Sequence, residues 1–118
     1  MANEITENIL FNVVNGDHAP GQIAYSKQID QSASGSIEGV WKVGTSAEAL
    51  DMGDVTTPGR AFFRNLDSTN FVTFGTTLTQ HFIRLNAGEG QQIRFASTAC
   101  YGLADTAEVK VQYRILED

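Results

Sequence analysis

The chain has 118 residues, 42% hydrophobic and 19% charged, with a formal charge of −6. That balance fits a folded globule burying roughly two-thirds of its unfolded surface and excludes a disordered tail. No apolar run approaches the ~20 residues of a membrane-crossing helix, and Met1-Ala2-Asn3-Glu4-Ile5-Thr6-Glu7 has neither the basic nor the apolar stretch of a secretory signal.

In chain order, residues 5–14 form the first strand candidate. Ile5, Ile9, Phe11 and Val13 share one parity and Leu10 and Val14 the other, so contact on both faces is expected. Asn15-Gly16-Asp17 and Pro20-Gly21 are turn signals. Residues 22–30 alternate, with Ile23, Tyr25 and Ile29 on one face and Lys27 the exception. After the small residues Ser32–Ser36, residues 37–43 read as a strand carrying the single tryptophan, Trp41. Thr45 and Glu48 match a capping box, but Gly53 follows too soon for more than a helical turn, and 45–52 read as irregular. Asp54 to Gly59 is a connector with Pro58-Gly59 as its corner.

Gly59 to Gly75 holds four of the seven phenylalanines, in two runs separated by Asn65, Asp67, Ser68 and Asn70. Aromatic runs around a polar turn predict a central hairpin. After the polar linker 76–80, residues 81–86 and 91–96 flank a glycine-rich turn and predict a second hairpin. A short strand is expected within 99–103. In residues 108–116, Val109, Val111, Tyr113 and Ile115 alternate with Lys110, Gln112 and Arg114, the cleanest such pattern in the chain. About eight short strands with turns between them predict a single all-β domain over 1–118, an antiparallel β-sandwich or jelly roll, with residues 1–15 as an edge strand or arm. Phe62, Phe63, Phe71, Trp41 and Tyr113 are the core candidates.

Charge and reactive groups point away from chemistry. Residues 1–59 hold eight acids and two bases (−6), residues 60–118 six of each (zero). Such a chain repels polyanions, so neither nucleic acid nor membrane is expected as a partner, and the acidity reads first as a solubility device. Cys100 has no partner for an internal disulfide and no neighbouring His or Lys to activate it, which suits a reducing compartment. His18 and His81 share no metal-ligand spacing with it. Asp51 and Asp54 fall short of a calcium loop, and Gly88-Glu89-Gly90 reads as a turn rather than a phosphate cradle. No carboxylate pair or nucleophile–base set is present, so no catalytic, cofactor or metal residues are assigned and an enzyme is not expected. Arg60, Arg64, Arg84 and Arg94 are the candidate contact residues, because arginine and aromatics anchor interfaces.

The segment Gly44–Val72, centred on Pro58-Gly59-Arg60-Ala61-Phe62-Phe63-Arg64-Asn65-Leu66-Asp67, resembles a group of small virion-associated proteins of tailed bacteriophages and prophages. Arg84-Leu85-Asn86-Ala87-Gly88-Glu89 and the ending Asp105–Asp118 continue the likeness, which covers about the last two-thirds of the chain. The resemblance implies a phage structural protein made in the host bacterial cytoplasm. Small jelly-roll proteins of this kind often serve as capsid cement or decoration proteins. It further implies a homotrimer on the outer capsid surface, with the major capsid protein as its other partner. It transfers no site residues and no cofactor. A second expectation is a tail or fibre module that recognises a cell-surface carbohydrate, which would require Trp41 with Tyr25 or Tyr101 exposed as sugar platforms.

Overall fold

The computed structural model describes residues 5–14, 16, 21–31 and 34–117, and its regular elements are all strands. They are β1 (Ile5–Val13), β2 (Gly21–Ile29), β3 (Ser36–Val43), β4 (Glu48–Ala49), β5 (Pro58–Asn65), β6 (Val72–Gly75), β7 (His81–Leu85), β8 (Gly90–Arg94), β9 (Tyr101–Ala104) and β10 (Val109–Glu117). Among the described residues no helix is long and apolar enough to cross a membrane. The chain divides into two compact units, Met1–Ser32 and Ala33–Asp118.

In the first unit β1 and β2 pair antiparallel from Ile5↔Ile29 to Val13↔Gly21 without a break. Opposed residues share a face, so Ile5, Ile9, Phe11, Val13, Ile23, Tyr25 and Ile29 lie together on one side of this ribbon, with Glu7 opposite Lys27 among them. The other side carries Thr6, Asn8, Asn12, Gln22, Ser26 and Gln28 with Leu10 and Ala24.

In the second unit two four-stranded antiparallel sheets form, sheet I ordered β3-β10-β5-β8 and sheet II β4-β9-β6-β7. Counted from β3, the orders are first-eighth-third-sixth and second-seventh-fourth-fifth, the connectivity of a jelly roll. Alternation in each strand sends one set of residues inward. Trp41, Val43, Ala61, Phe63, Val109, Val111 and Ile115 of sheet I are buried, as are Val72, Phe74, Leu85 and Ala104 of sheet II. Phe63 stacks on Phe74 with ring centroids 4.9 Å apart, and Trp41 tilts against Phe74 at 6.0 Å. Burial of each such ring contributes about 1.5–3 kcal/mol, and the aromatic pairing about 0.5–1.5 kcal/mol more.

Both predicted hairpins are instead arches. β5 pairs with β10 and β8, β6 with β9 and β7, so 66–71 carries the chain from one sheet to the other. β7 and β8 likewise lie in different sheets despite the short turn between them. The consecutive strands that do pair in this unit are β6 and β7, across the stretch 76–80 read as a linker. The reason is the core: two short aromatic strands bury more surface face to face in opposed layers than side by side in one. Phe62 is not a core residue but 41% exposed, and Phe71 is only half-buried. Phe63 and Trp41 are core, and Tyr113 packs against it half-buried. Residues 45–52 contain no helical turn. Glu48 instead starts β4, and its carboxylate accepts the Gly44 N–H at 3.4 Å. Pro58-Gly59 opens β5 rather than turning a corner. The last strand is no edge, since β10 is bonded on both sides, by β3 and by β5.

Candidate functional site

The outward residues of sheet I follow from its registers. Inward Trp41, Val111, Asn65 and Phe63 fix the parity, which leaves Ser36, Glu38, Val40 and Lys42 of β3 facing out beside Lys110, Gln112, Arg114 and Leu116 of β10. Arg60, Phe62 and Arg64 of β5 continue the face, and Gly90, Gln92 and Arg94 of β8 complete it. Lys42, Arg60, Arg64, Arg94, Lys110 and Arg114 are six of the chain's eight lysines and arginines. Glu38 is the one acid among these outward positions. The face therefore carries six bases against one acid, a formal +5, and the rest of the chain thirteen acids against two bases, −11.

Phe62 lies near the middle of this face. Its ring rests over Gly90 of the neighbouring strand, where an added Cβ would come 3.1 Å from the ring's Cζ. Exposed Val40 and Leu66 add apolar surface. Arg114 bonds Glu38 through Nε at 2.9 Å and through its terminal nitrogen at 2.5 Å. Both side chains are about 65% exposed, so this pair orients the guanidinium more than it stabilises the fold. The result is a cationic surface with an aromatic centre, suited to carboxylates.

Three of the four candidate arginines meet here. Arg60 and Arg94 are directly opposed across β5 and β8, and Arg64 lies four residues along β5, beyond Phe62. Arg84 does not join them. It projects from the outer side of sheet II, its guanidinium carbon 3.7 Å above the Phe71 ring and its Nε bonded to Asn86 Oδ1 at 2.8 Å. Lys42, Lys110 and Arg114 were not among the candidates. Their outward parity is plain in the sequence, but the adjacency of β10 to β3 and β5 is not.

The remaining reactive groups have structural surroundings. Cys100 is 2% exposed, and burial pushes its thiol up to about 12. His81 Nδ1 lies 2.9 Å from the Thr73 hydroxyl and Nε2 3.1 Å from the Thr77 carbonyl oxygen, tying β6, β7 and their loop. Asp51 accepts the Gly53 N–H at 2.9 Å, closing a tight turn in which Gly53 has a φ of 55°. Trp41 is 9% exposed, so it offers no sugar platform, whereas Tyr25 is exposed and Tyr101 half-buried. His18 lies outside the described residues. Comparison with protein-family models, with curated proteins and with solved structures finds no match.

Proposed function

We propose that this chain is a non-catalytic structural protein of a phage particle, of the capsid cement or decoration kind that its sequence resembles. In this reading it docks on an acidic patch of the shell through the outer face of sheet I. The observation that supports this is the segregation of charge: +5 on one sheet face of a chain whose total is −6. Opposed potentials steer two surfaces together and suppress wrong orientations. Arg64, Lys42 and Lys110 then pair with shell carboxylates at the rim, while Phe62 is the apolar anchor at the centre. Working as a homo-oligomer, most simply a trimer, the protein engages several shell subunits at once, and linked contacts raise avidity without any single contact being strong.

Mass spectrometry and electron cryomicroscopy of gradient-purified virions test this reading. The protein is expected on the outer shell in many copies, and Arg64→Glu/Lys110→Glu is expected to reduce its incorporation at least tenfold. Its absence from intact particles would overturn the proposal.

A further inference from the structure

We infer that the β1–β2 ribbon joins copies of this chain, by packing its apolar face against the same face of a second copy. The ribbon is amphipathic in a specific way. On one face Ile5 opposes Ile29, Ile9 opposes Tyr25 and Phe11 opposes Ile23, with the Glu7–Lys27 pair between the first two. On the other, mostly polar face the Ser26 hydroxyl donates to Asn8 Oδ1 at 2.7 Å. Toward the far end of the ribbon the apolar face is bare: Ile9 is 43% exposed, Phe11 64%, Ile23 69% and Tyr25 44%. Among the described residues the sheet of this unit has two strands. A two-stranded ribbon is marginally stable in water by itself and gains independent stability only when its apolar face is covered. A contiguous exposed patch of this kind marks a contact surface.

Charge identifies the cover as another copy. Between Ile5 and Val14, and between Gly21 and Ile29, the only charged residues are Glu7 and Lys27, directly opposite each other. The ribbon is therefore formally neutral within a chain of −6, so two copies meet there without the repulsion they feel elsewhere. Beyond the Glu7–Lys27 pair, the stretch from Ile9 to Val13 opposite Gly21 to Tyr25 holds no charge, as interface cores do. The pair itself carries no net charge to attract a strongly acidic or basic partner, whereas the apolar stretch is complementary to itself under a twofold axis. Strands of nine residues run about 30 Å, and two such faces stacked about 10 Å apart make a four-stranded, two-layer core with both polar faces in water.

This inference rests on the homo-oligomer part of the proposed function and is separable from the docking part. The full chain, run by size-exclusion chromatography with light scattering, is expected at twice its 12.8 kDa mass. The variant Phe11→Thr/Ile23→Thr keeps β-branched residues in both strands and is expected to run as a monomer, with Trp41 fluorescence unchanged because that ring lies in the core of the other unit. A second readout does not depend on how the double variant folds. In a Cys100→Ser background, Phe11→Cys is expected to give covalent dimers with a bis-maleimide spanning about 10 Å. Asn12→Cys, on the polar face, is expected to give at least tenfold fewer. A monomeric parent chain, an oligomer that survives the double variant, or equal cross-linking from both faces overturns the inference. A monomer that is nonetheless found in virions would end this inference and leave the docking part of the proposed function standing; an oligomer absent from virions would do the reverse.

Discussion

Asn65 donates its side-chain amide to the Leu85 carbonyl oxygen at 3.1 Å, across the interior from sheet I to sheet II. The same amide donates to the Asn70 carbonyl at 2.9 Å, and its oxygen accepts the Asp67 N–H at 2.8 Å. The residue is fully buried. Its backbone is engaged too, with the N–H donating to Glu89 at 2.8 Å and the carbonyl accepting from Gly88 at 3.1 Å. One residue thus fastens the β5–β6 arch to the β7–β8 arch, at the end of the strand that carries Arg60, Phe62 and Arg64. Asn65→Ala leaves two carbonyls and an N–H without their partner, each worth about 1–3 kcal/mol when buried. A loss of about 3 kcal/mol is expected in urea denaturation, and Asn65→Leu, which restores volume without donors, is not expected to recover it. A loss below about 1 kcal/mol would remove the amide from this role.

Adjacent phenylalanines separate folding from docking. Phe63 is 1% exposed and stacked on Phe74, so Phe63→Ala is expected to cost about 3–5 kcal/mol. Phe62 lies on the outer face, and Phe62→Ala is expected to change stability by less than about 1 kcal/mol. The same change is expected to weaken attachment to purified shells, measured by co-sedimentation. Equal stability losses from the two variants would contradict the parity assigned to β5.

How far this was legible in the sequence is clear from the same strand. Period-two patterning identified β2 and β10, with Lys27 the one break in β2, and the β-branched residues around Trp41 identified β3. In β5 the contrast fails: Ala61 and Asn65 face the core while Phe62 faces water. A small residue, an amide and an exposed aromatic invert the usual signal, and only packing against the opposed sheet decides between the parities. The arches were misread for a related reason. Asn65, Asp67 and Asn70 do turn the chain, with Asp67 accepting the N–H groups of Thr69 and Asn70. Turn chemistry does not reveal whether the next strand returns to the same sheet or crosses to the other. Of the basic face, the outward parity of Lys110 and Arg114 was legible, and Arg60, Arg64 and Arg94 were named for their residue type; its extent depended on strand order, which is long-range information.

Acid is expected to loosen the protein through two carboxylates. Asp67 is held below its ordinary 3.8 by the backbone N–H groups of Asn70 and then Thr69. Glu117 is held below 4.5 first by the Thr56 hydroxyl and then by the Thr56 N–H, at 2.7 and 3.1 Å. For a depressed folded value, the unfolded chain binds protons more readily, so the stabilising contribution is full above the ordinary value and is lost as pH falls through the folded one. The urea midpoint is therefore expected to hold steady above about pH 5 and to decline below about pH 4. Both groups are solvent-accessible, so the decline is modest, and Asp67→Asn and Glu117→Gln should each flatten it. An acid slope identical in the parent and both variants would assign the effect to other carboxylates.

Three glycines differ in what surrounds them, and alanine at each gives a graded prediction. At Gly102 an added Cβ would lie 2.6 Å from the Trp41 ring, which is itself held against Phe74 in the core. Overpacking of this kind costs about 1–3 kcal/mol, and a shifted Trp41 emission is expected with it. At Gly75, where the β6–β7 register shifts, the Cβ would collide with the Gln80 carbonyl and the His81 Cα. Backbone atoms in a short hairpin cannot rotate away as a side chain can, so Gly75→Ala is expected to be the more destabilising of the two. Gly44 has nothing within 4 Å of its Cβ position, and Gly44→Ala is expected to be neutral or to stabilise by up to about 1 kcal/mol through the unfolded chain. Thermal midpoints falling in the order Gly44→Ala, Gly102→Ala, Gly75→Ala would support the close approaches at Trp41 and Gln80; a Gly75→Ala variant as stable as the parent would refute the hairpin geometry that brings β7 back beside β6.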